Sequence, residues 1–549
     1  MAKETMTKKE KKHEQAKEIT VYSYHTFMFP FLYEMNKTTS KKLIDRCHPG
    51  WFADVWEPEK TNEAVYYNQY HYFNEAAHNA IYMKKDPEKI KDFEKEPVLN
   101  LRFDLLSLTD EFPQANPERE KTRLKNNEHQ SRYVIRKGES RYDVDICAIR
   151  MKIYNTGVGI LMFELENRKY PDEKDVIAIN DFGRRIYAAY YAYDKGGIYC
   201  NICADEIYFE INGKKIADSN LISEKLMKSA EETVLAEPIV CLLSNGKYRV
   251  TTRKGCSKDE FCIEPVIDDR MFVACYYKNG DFVDSMREWD GENYRYLTDA
   301  KEKHPFDNEN NQNTANRLYT MMYVDGDGIC CHGRNMLQNL LSEDHIYTRW
   351  LEYGWRNEKT KQNEFAGTIT GFSEYTMISV AKNPPNYLIT PFLTQYVEMA
   401  ALVLAQRASL LSFEYMISEC ARGEKTYKVD DIQKKYTLFQ SQILLKEVSP
   451  QQQGIELYDM LEKNLMIEKE QTEIKEQIAG LFEQKNFDHD RRENRILFWL
   501  SVFGIVEAAN TCVELFFHGE DGSFLDSYIK MGVIAVAAIL ITLFHYHKK

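Results

Sequence analysis

The chain has 549 residues, 43% of them hydrophobic and 13% aromatic, with a formal net charge of −13. That composition argues against disorder, and the acidic balance argues against nonspecific binding of nucleic acid through a basic surface. A chain of this length holds roughly two or three domains.

Residues 1–17, MAKETMTKKEKKHEQAK, are basic and have no apolar core, so they read as a disordered tail rather than a secretory signal. The body that follows, residues 18–384, is expected to be a cytoplasmic α+β sensor domain. Alternating apolar residues predict a strand at 19–31. Residues 150–165 predict a hairpin turning at Asn155-Thr156-Gly157. Further strand pairs are predicted at 198–211, 248–252 and 270–277. No strict β-α-β alternation is visible, which favours α+β over a doubly wound sheet. The polar stretch 255–316 predicts surface loops or an inserted lobe.

Composition shifts at Asn383-Pro384-Pro385-Asn386, and a helical stalk is expected over 385–490. Its first helix, about 389–422, is apolar around most of its circumference and should be buried by neighbours. Glu398, Gln406 and Arg407 interrupt it, so it does not read as a membrane span. A second amphipathic helix is predicted at 430–446. The charged segment 451–495 has only Gly454 and Gly480 as weak points. Unbroken to residue 517, it would be a helix on the order of 100 Å long. A thin apolar stripe on so long a helix asks for partner helices.

Residues 491–549 are predicted to form a transmembrane hairpin. Two apolar runs, ILFWLSVFGIVEAANTCVELFF (496–517) and YIKMGVIAVAAILITLFHYH (528–547), are each long enough to cross a bilayer. Arg491, Arg492 and Arg495 precede the first and Lys548 and Lys549 follow the second, whereas the loop between them carries Glu520 and Asp521 and no Lys or Arg. The positive-inside rule then places both ends in the cytoplasm of a cell whose inner membrane the protein spans twice. Glu507, Asn510, Thr511 and Glu514 in the first run share one helical face. Carboxylates at membrane depth face protein or water, so several copies gathering this stripe would give a cation-attracting pore. The alternative is that Glu514 sits at the outer interface and Glu507 makes one interhelical hydrogen bond.

The twelve cysteines show no repeating spacing. Cys200 and Cys203 form a lone C-x-x-C, and Cys330, Cys331 and His332 lack a chelating spacing, so reduced structural thiols are expected and no metal site. Asp325-Gly326-Asp327-Gly328 hints at a calcium loop, but its twelfth position is Met336, so a tight turn is expected. Arg349 and Arg407, among aromatic or apolar neighbours, are each expected in a buried ion pair. No phosphate-binding loop or nucleophile signature appears, and the chain does not read as an enzyme.

The arrangement of a cytoplasmic body, a long helix entering a polar-striped span, an outer span and a basic end resembles the CorA family of divalent-cation channels. The likeness covers the C-terminal third, from about residue 385. The family's Gly-Met-Asn signature is missing: Cys512-Val513-Glu514-Leu515 stands there. HTFMFPF (25–31), NDFGRRIY (180–187), YTRW (347–350) and QRASLLSF (406–413) resemble the CorA-like membrane proteins of type III CRISPR systems. That resemblance implies a homo-oligomer, a pentamer by family, gated by a nucleotide second messenger such as a conjugate of S-adenosylmethionine with AMP. It also implies disturbance of ion balance as the antiviral output, with Mg²⁺ as a conceivable ion. A constitutive transporter of Mg²⁺ or another divalent metal ion is the alternative.

An anionic nucleotide needs a positive, backbone-rich pocket. Asn180-Asp181-Phe182-Gly183-Arg184-Arg185 follows the apolar run VIAI (176–179), which reads as a strand, and precedes a helical-looking IYAAYYAY. A strand-to-helix junction offers free N–H groups, and Arg184 and Arg185 would take phosphate oxygens. The alternative is an Asn or Asp helix cap with solvent-facing arginines. Arg150 either joins this pocket or pairs with a structural carboxylate.

Overall fold

The computed structural model describes residues 20–33, 44–56, 64–85, 90, 95–109, 111, 114–125, 131–187, 203–220, 227–229, 232–246, 249–251, 260–287, 309–324, 344–356, 363–382, 386–423, 428–517 and 532. Met1–Ile474 form one compact unit and Lys475–Lys549 a second.

The first unit is a mixed α and β body. Its strands are β1 (Ser23–Tyr33), β2 (Trp51–Ala53), β3 (Val98–Phe103), β4 (Ser131–Lys137), β5 (Ser140–Tyr154), β6 (Val158–Asn167), β7 (Glu206–Ile211) and β8 (Lys214–Ser219). After a small pair, β9 (Met227–Ser229) and β10 (Glu232–Thr233), come β11 (Arg249–Thr251), β12 (Glu260–Pro265), β13 (Phe272–Lys278), β14 (Ile346–Arg356), β15 (Asn363–Phe372) and β16 (Thr376–Lys382). The main sheet runs β14-β15-β16-β13-β1-β6-β5-β4-β7-β8, with β3 and β2 branching from β5 and β12 and β11 from β1. Among the described residues, only the β13–β16 and β11–β12 pairs are parallel. The hairpin β5–β6 turns at Asn155-Thr156-Gly157, where a glycine with φ of 89° meets the turn geometry.

The centre of the sheet is β1, held by β6 along one edge and by β13 and then β12 along the other. It carries Pro30, which removes a ladder donor. The fault is harmless because Pro30 lies where the neighbour changes from β13, last paired at Met28, to β12, first paired at Phe31. Nearly every residue of β1 is buried, as expected of a strand covered on both faces.

The helices named here are α1 (Glu75–Ile81), α2 (Glu173–Gly183), α3 (Glu309–Tyr323), α4 (Val397–Ala421), α5 (Val429–Gln442), α6 (Gln452–Asn464) and α7 (Ile467–Phe517). One face of the sheet is covered by α2, whose Gly183 packs on Phe27; the other is covered by α4. Ahead of α4, Asn386–Pro391 is helical and Pro391 is followed by a π turn at Phe392–Tyr396, since proline breaks the i→i−4 ladder. Among the described residues, one helix, Leu388–Ala421, is long and apolar enough to cross a membrane, and 72% of its most apolar window is buried in the protein. It is the core helix anticipated from its all-round apolarity.

Three expectations need correcting, whereas of the strand pair predicted at 198–211 only 203–211 are described, and there β7 pairs with β4 and, through Asn212–Gly213, both at positive φ, with β8. Residues 176–179 are helix, inside α2. The 255–316 stretch is not all loop, for it contains β12, β13 and the start of α3. The stalk is broken: α6 ends at Asn464, and Met466 takes φ of 56°. The break falls at neither glycine but where the helix end is held by contacts to residues outside it. Arg407 on α4 donates to the Leu465 carbonyl at 3.2 Å, and the Asn464 amide donates to the Asp344 carbonyl at 2.9 Å.

Helix α7 is continuous over 51 residues, about 75 Å of helix. Ile496, Leu497, Trp499, Leu500, Phe503 and Ile505 on it are between 52% and 67% exposed. The second predicted span, apart from Gly532, and the loop with Glu520 and Asp521 lie outside the described residues, so no two-helix hairpin is seen among them.

Candidate functional site

Helix α2 forms because Val176, Ile177, Ile179, Asn180 and Gly183 recur at helical spacing and are all buried. Glu173 and Asp175 sit in its first turn, where the helix dipole favours acids. The NDFGRR motif is therefore the end of a helix and not the beginning of one. Its N–H groups are spent inside α2, and the exposed end of the dipole carries the wrong sign for an anion. Gly183 serves packing: a Cβ there would lie 2.7 Å from Ile135 and 2.9 Å from Phe27.

Arg184 and Arg185 are buried, not solvent-facing. Arg185 pairs with Asp269 at 2.7 Å and with Asp181 at 3.4 Å. Arg184 donates through Nη2 to the carbonyls of Tyr323 and Val324, each at 3.2 Å, and approaches Asp181 at 3.7 Å. The Nε and Nη1 groups of Arg184 and the Nε of Arg185 have no hydrogen-bond partner among the described residues. The backbone beside them is strained. Ile267 and Val324, both β-branched, hold φ of 86° and 55°. A bridge between Arg185 and Arg270 joins this corner to the start of β13, and the Arg270 guanidinium lies 4.6 Å from the Tyr375 ring centre. Burial pulls Arg184 below the ordinary arginine value, partly offset by Asp181. Burial and the neighbouring Asp268 push Asp269 up to about 6 against the pull of Arg185. The corner is a buried charge cluster with unmet donors, and neither of the two cavities described below is lined by it.

Asn180 points the other way, into the sheet. Its Oδ1 accepts from His25 Nδ1 at 2.6 Å, and the Ser23 hydroxyl, which accepts from Asn167 Nδ2, lies 2.9 Å from His25 Nε2. That chain fixes the His25 tautomer. Cys275 Sγ is 3.7 Å from His25 Nδ1, so a Cys-His-Asn set exists in outline. Burial disfavours the thiolate there, raising the Cys275 thiol to about 12 and lowering His25 to about 4.

Arg150 is not part of this corner. On β5 it is in register with Met162 of β6, which is in register with Met28 of β1. Met28 points away from the face on which Phe27 meets Gly183. Arg150 bonds Glu164 at 2.6 Å and Glu398 of α4 at 2.6 Å, while Lys152 reaches Glu398 at 2.8 Å. It is the structural ion pair foreseen as the alternative. Burial would raise the Glu398 carboxyl, but Lys152 and Arg150 overcome it and hold it at about 2. A polar cavity of about 100 Å³ lies against Arg150, Lys152, Glu398 and the Arg102–Asp54 pair. Sequence reasoning missed Lys152, although a lysine inside the apolar run of β5 was a signal that a buried acid faces it.

Arg407 pairs with Glu470 at 3.6 Å, whereas Arg349 meets no carboxylate among the described residues and donates to Gln453 Oε1 at 2.7 Å. Cys203 is a buried free thiol, and no group of three or more potential metal ligands occurs among the described residues. Cys330, Cys331, His332 and Asp325–Gly328 fall outside them. On α7, Glu507 and Thr511 are exposed one turn apart, with the Thr511 hydroxyl donating to the Glu507 carbonyl at 2.9 Å. Asn510 and Glu514 are helical, and their side chains are outside the described ones. No protein-family model matches the chain, and no curated protein matches it in sequence.

Proposed function

We propose that the chain is a membrane-anchored, oligomeric effector of CorA-like design that alters ion balance when its cytoplasmic body binds a nucleotide second messenger, as in type III CRISPR defence. The observation that supports membrane anchoring is the set of six large apolar side chains left exposed on α7, directly after exposed Arg491, Arg492 and Arg495. Removing them from water is worth roughly 10 kcal/mol, and a cationic collar before an apolar run is what a cytoplasmic membrane boundary selects. Glu507 and Thr511 on the same segment supply the polar stripe for a cation path once copies assemble.

The test is ion flux through liposomes carrying purified protein, with and without the S-adenosylmethionine–AMP conjugate. Flux that requires the conjugate and drops severalfold in Glu507→Gln supports a gated channel. Equal Mg²⁺ flux with and without nucleotide would return the protein to the constitutive transporters. An absence of flux under both conditions ends the channel reading.

A further inference from the structure

The arginines of the corner at residues 180–185 are buried and engaged with Asp181, Asp269 and backbone carbonyls, which favours another entrance for a nucleotide. One lies on the opposite side of the helical layer. Between α1, the segment leading into β3 and the end of α5 there is a cleft of about 760 Å³, within the usual range for small-molecule sites. Its floor is apolar and buried, made by Met83, Ile90 and Val98. Among the described residues that line it, the charged groups are Lys84, Lys85, Lys95 and Glu96. Lys85 pairs with Glu96 at 2.6 Å, while the Lys84 ammonium lies 6.0 Å from the Tyr70 ring centre and makes no ion pair among the described residues. Lysines thus outnumber acids three to one among the described lining residues. An apolar floor below a cationic rim recognises a flat apolar ring that carries a phosphate, which is the chemistry of a nucleotide.

The far wall explains how occupancy would be felt elsewhere. It is formed by Ser441 and Gln442, the last residues of α5, and the Gln442 side chain accepts from Asn155 in the β5–β6 turn at 2.9 Å. Immediately beyond, Gln406 of α4 donates to the Ile443 carbonyl at 2.9 Å and to the Tyr458 hydroxyl at 2.8 Å. That hydroxyl donates on to the Leu445 carbonyl at 2.6 Å. A group pressing on Gln442 therefore bears on the α4–α6 contact, one helix before the break at Met466.

We propose that this cleft is a binding site for a phosphate-bearing adenosine nucleotide, with the ring on Met83, Ile90 and Val98 and the phosphate at Lys84 and its neighbouring lysines. Its role as the messenger site rests on the function proposed above; its existence as a nucleotide site does not. The experiment is calorimetric titration of the detergent-purified full chain with AMP, ATP, the S-adenosylmethionine–AMP conjugate and inorganic pyrophosphate. At least one adenosine nucleotide should bind, more tightly than pyrophosphate, and Lys84→Ala should weaken it at least fivefold with unchanged thermal stability. Lys84→Glu/Lys95→Glu should weaken it further. Unchanged binding in both variants overturns the cleft and leaves messenger gating standing with its site elsewhere. Binding that the variants abolish, with ion flux indifferent to nucleotide, keeps the cleft and ends the gating. No binding of any nucleotide to the unaltered protein overturns both.

Discussion

Glu398, in the first turn of the buried helix α4, is 2.8 Å from Lys152 on β5 and 2.6 Å from Arg150; Glu398 and Lys152 are buried and Arg150 is partly so. One acid shared by two bases ties α4 to β5 on that face of the sheet. Replacing it with well-packed apolar groups on both sides would cost little, but removing one member leaves uncompensated charge. Glu398→Ala should therefore destabilise the protein by about 3–5 kcal/mol, read as a lowered unfolding temperature in detergent. Adding Lys152→Met to Glu398→Ala should cost less than the sum of the single changes, since the pair is coupled. Additive losses would show that the pair does not act as a unit.

Two buried groups should each leave a mark on the acid side of the stability profile. His25 is held near 4 by burial, below its ordinary value of 6.5, so the unfolded chain takes up a proton first as pH falls. Stability is then lost between about pH 6.5 and 4. Glu398 is held at about 2 by its bases against burial, so its contribution is present above pH 4.5 and fades between there and 2. The second loss is on the order of 3 kcal/mol. Unfolding measured against pH should lose His25's share of the upper slope in His25→Gln and Glu398's share of the lower one in Glu398→Gln. If His25→Gln leaves the pH 6.5 to 4 region unaltered, the buried histidine is not its source.

How far the sequence spoke for itself varied by element. Where one signal dominated, it read correctly: alternation gave β1, the Asn155-Thr156-Gly157 turn gave the β5–β6 hairpin, and all-round apolarity gave a buried α4. It misled at 176–179, because four β-branched or small apolar residues in a row fit a buried strand as well as one helical face. The decisive information was outside the run, in the first-turn acids Glu173 and Asp175 and in Asn180 and Gly183, which continue the buried face at helical spacing. That one misreading turned a helix end into an apparent anion cradle and made Arg184 and Arg185 look exposed. The Lys84–Lys95 cleft carried no local motif, since its walls come from residues more than 300 positions apart, as with Met83 and Gln442.

The bend at Met466 separates two kinds of strain. A methionine at φ of 56° costs about 1 kcal/mol relative to glycine, which adopts that conformation freely. Met466→Gly should accordingly be neutral or stabilising by up to about 1 kcal/mol in thermal unfolding. Leu465 beside it is fully buried, and Leu465→Ala should cost about 2–4 kcal/mol. A marked loss of stability in Met466→Gly would mean that the Met466 side chain, and not the backbone turn, is what the bend requires.

The exposed segment of α7 can be located by its own fluorophore. Of the six tryptophans, Trp499 is the one that follows residue 355, and it is 52% exposed within the run Ile496–Ile505. Its ring neighbours Phe503 at 6.5 Å between centroids, and both belong to the apolar set that water would otherwise surround. An indole so placed should lie in hydrocarbon or at its boundary, where bromine atoms on lipid chains quench it. Protein reconstituted with chain-brominated lipid should lose part of its emission, and Trp499→Phe should abolish that loss. The five remaining tryptophans lie between residues 51 and 355, so residual quenching in the variant would have to come from the body. Emission of the unaltered protein that is insensitive to brominated lipid would place Trp499 outside the bilayer and remove the anchor on which the channel reading stands.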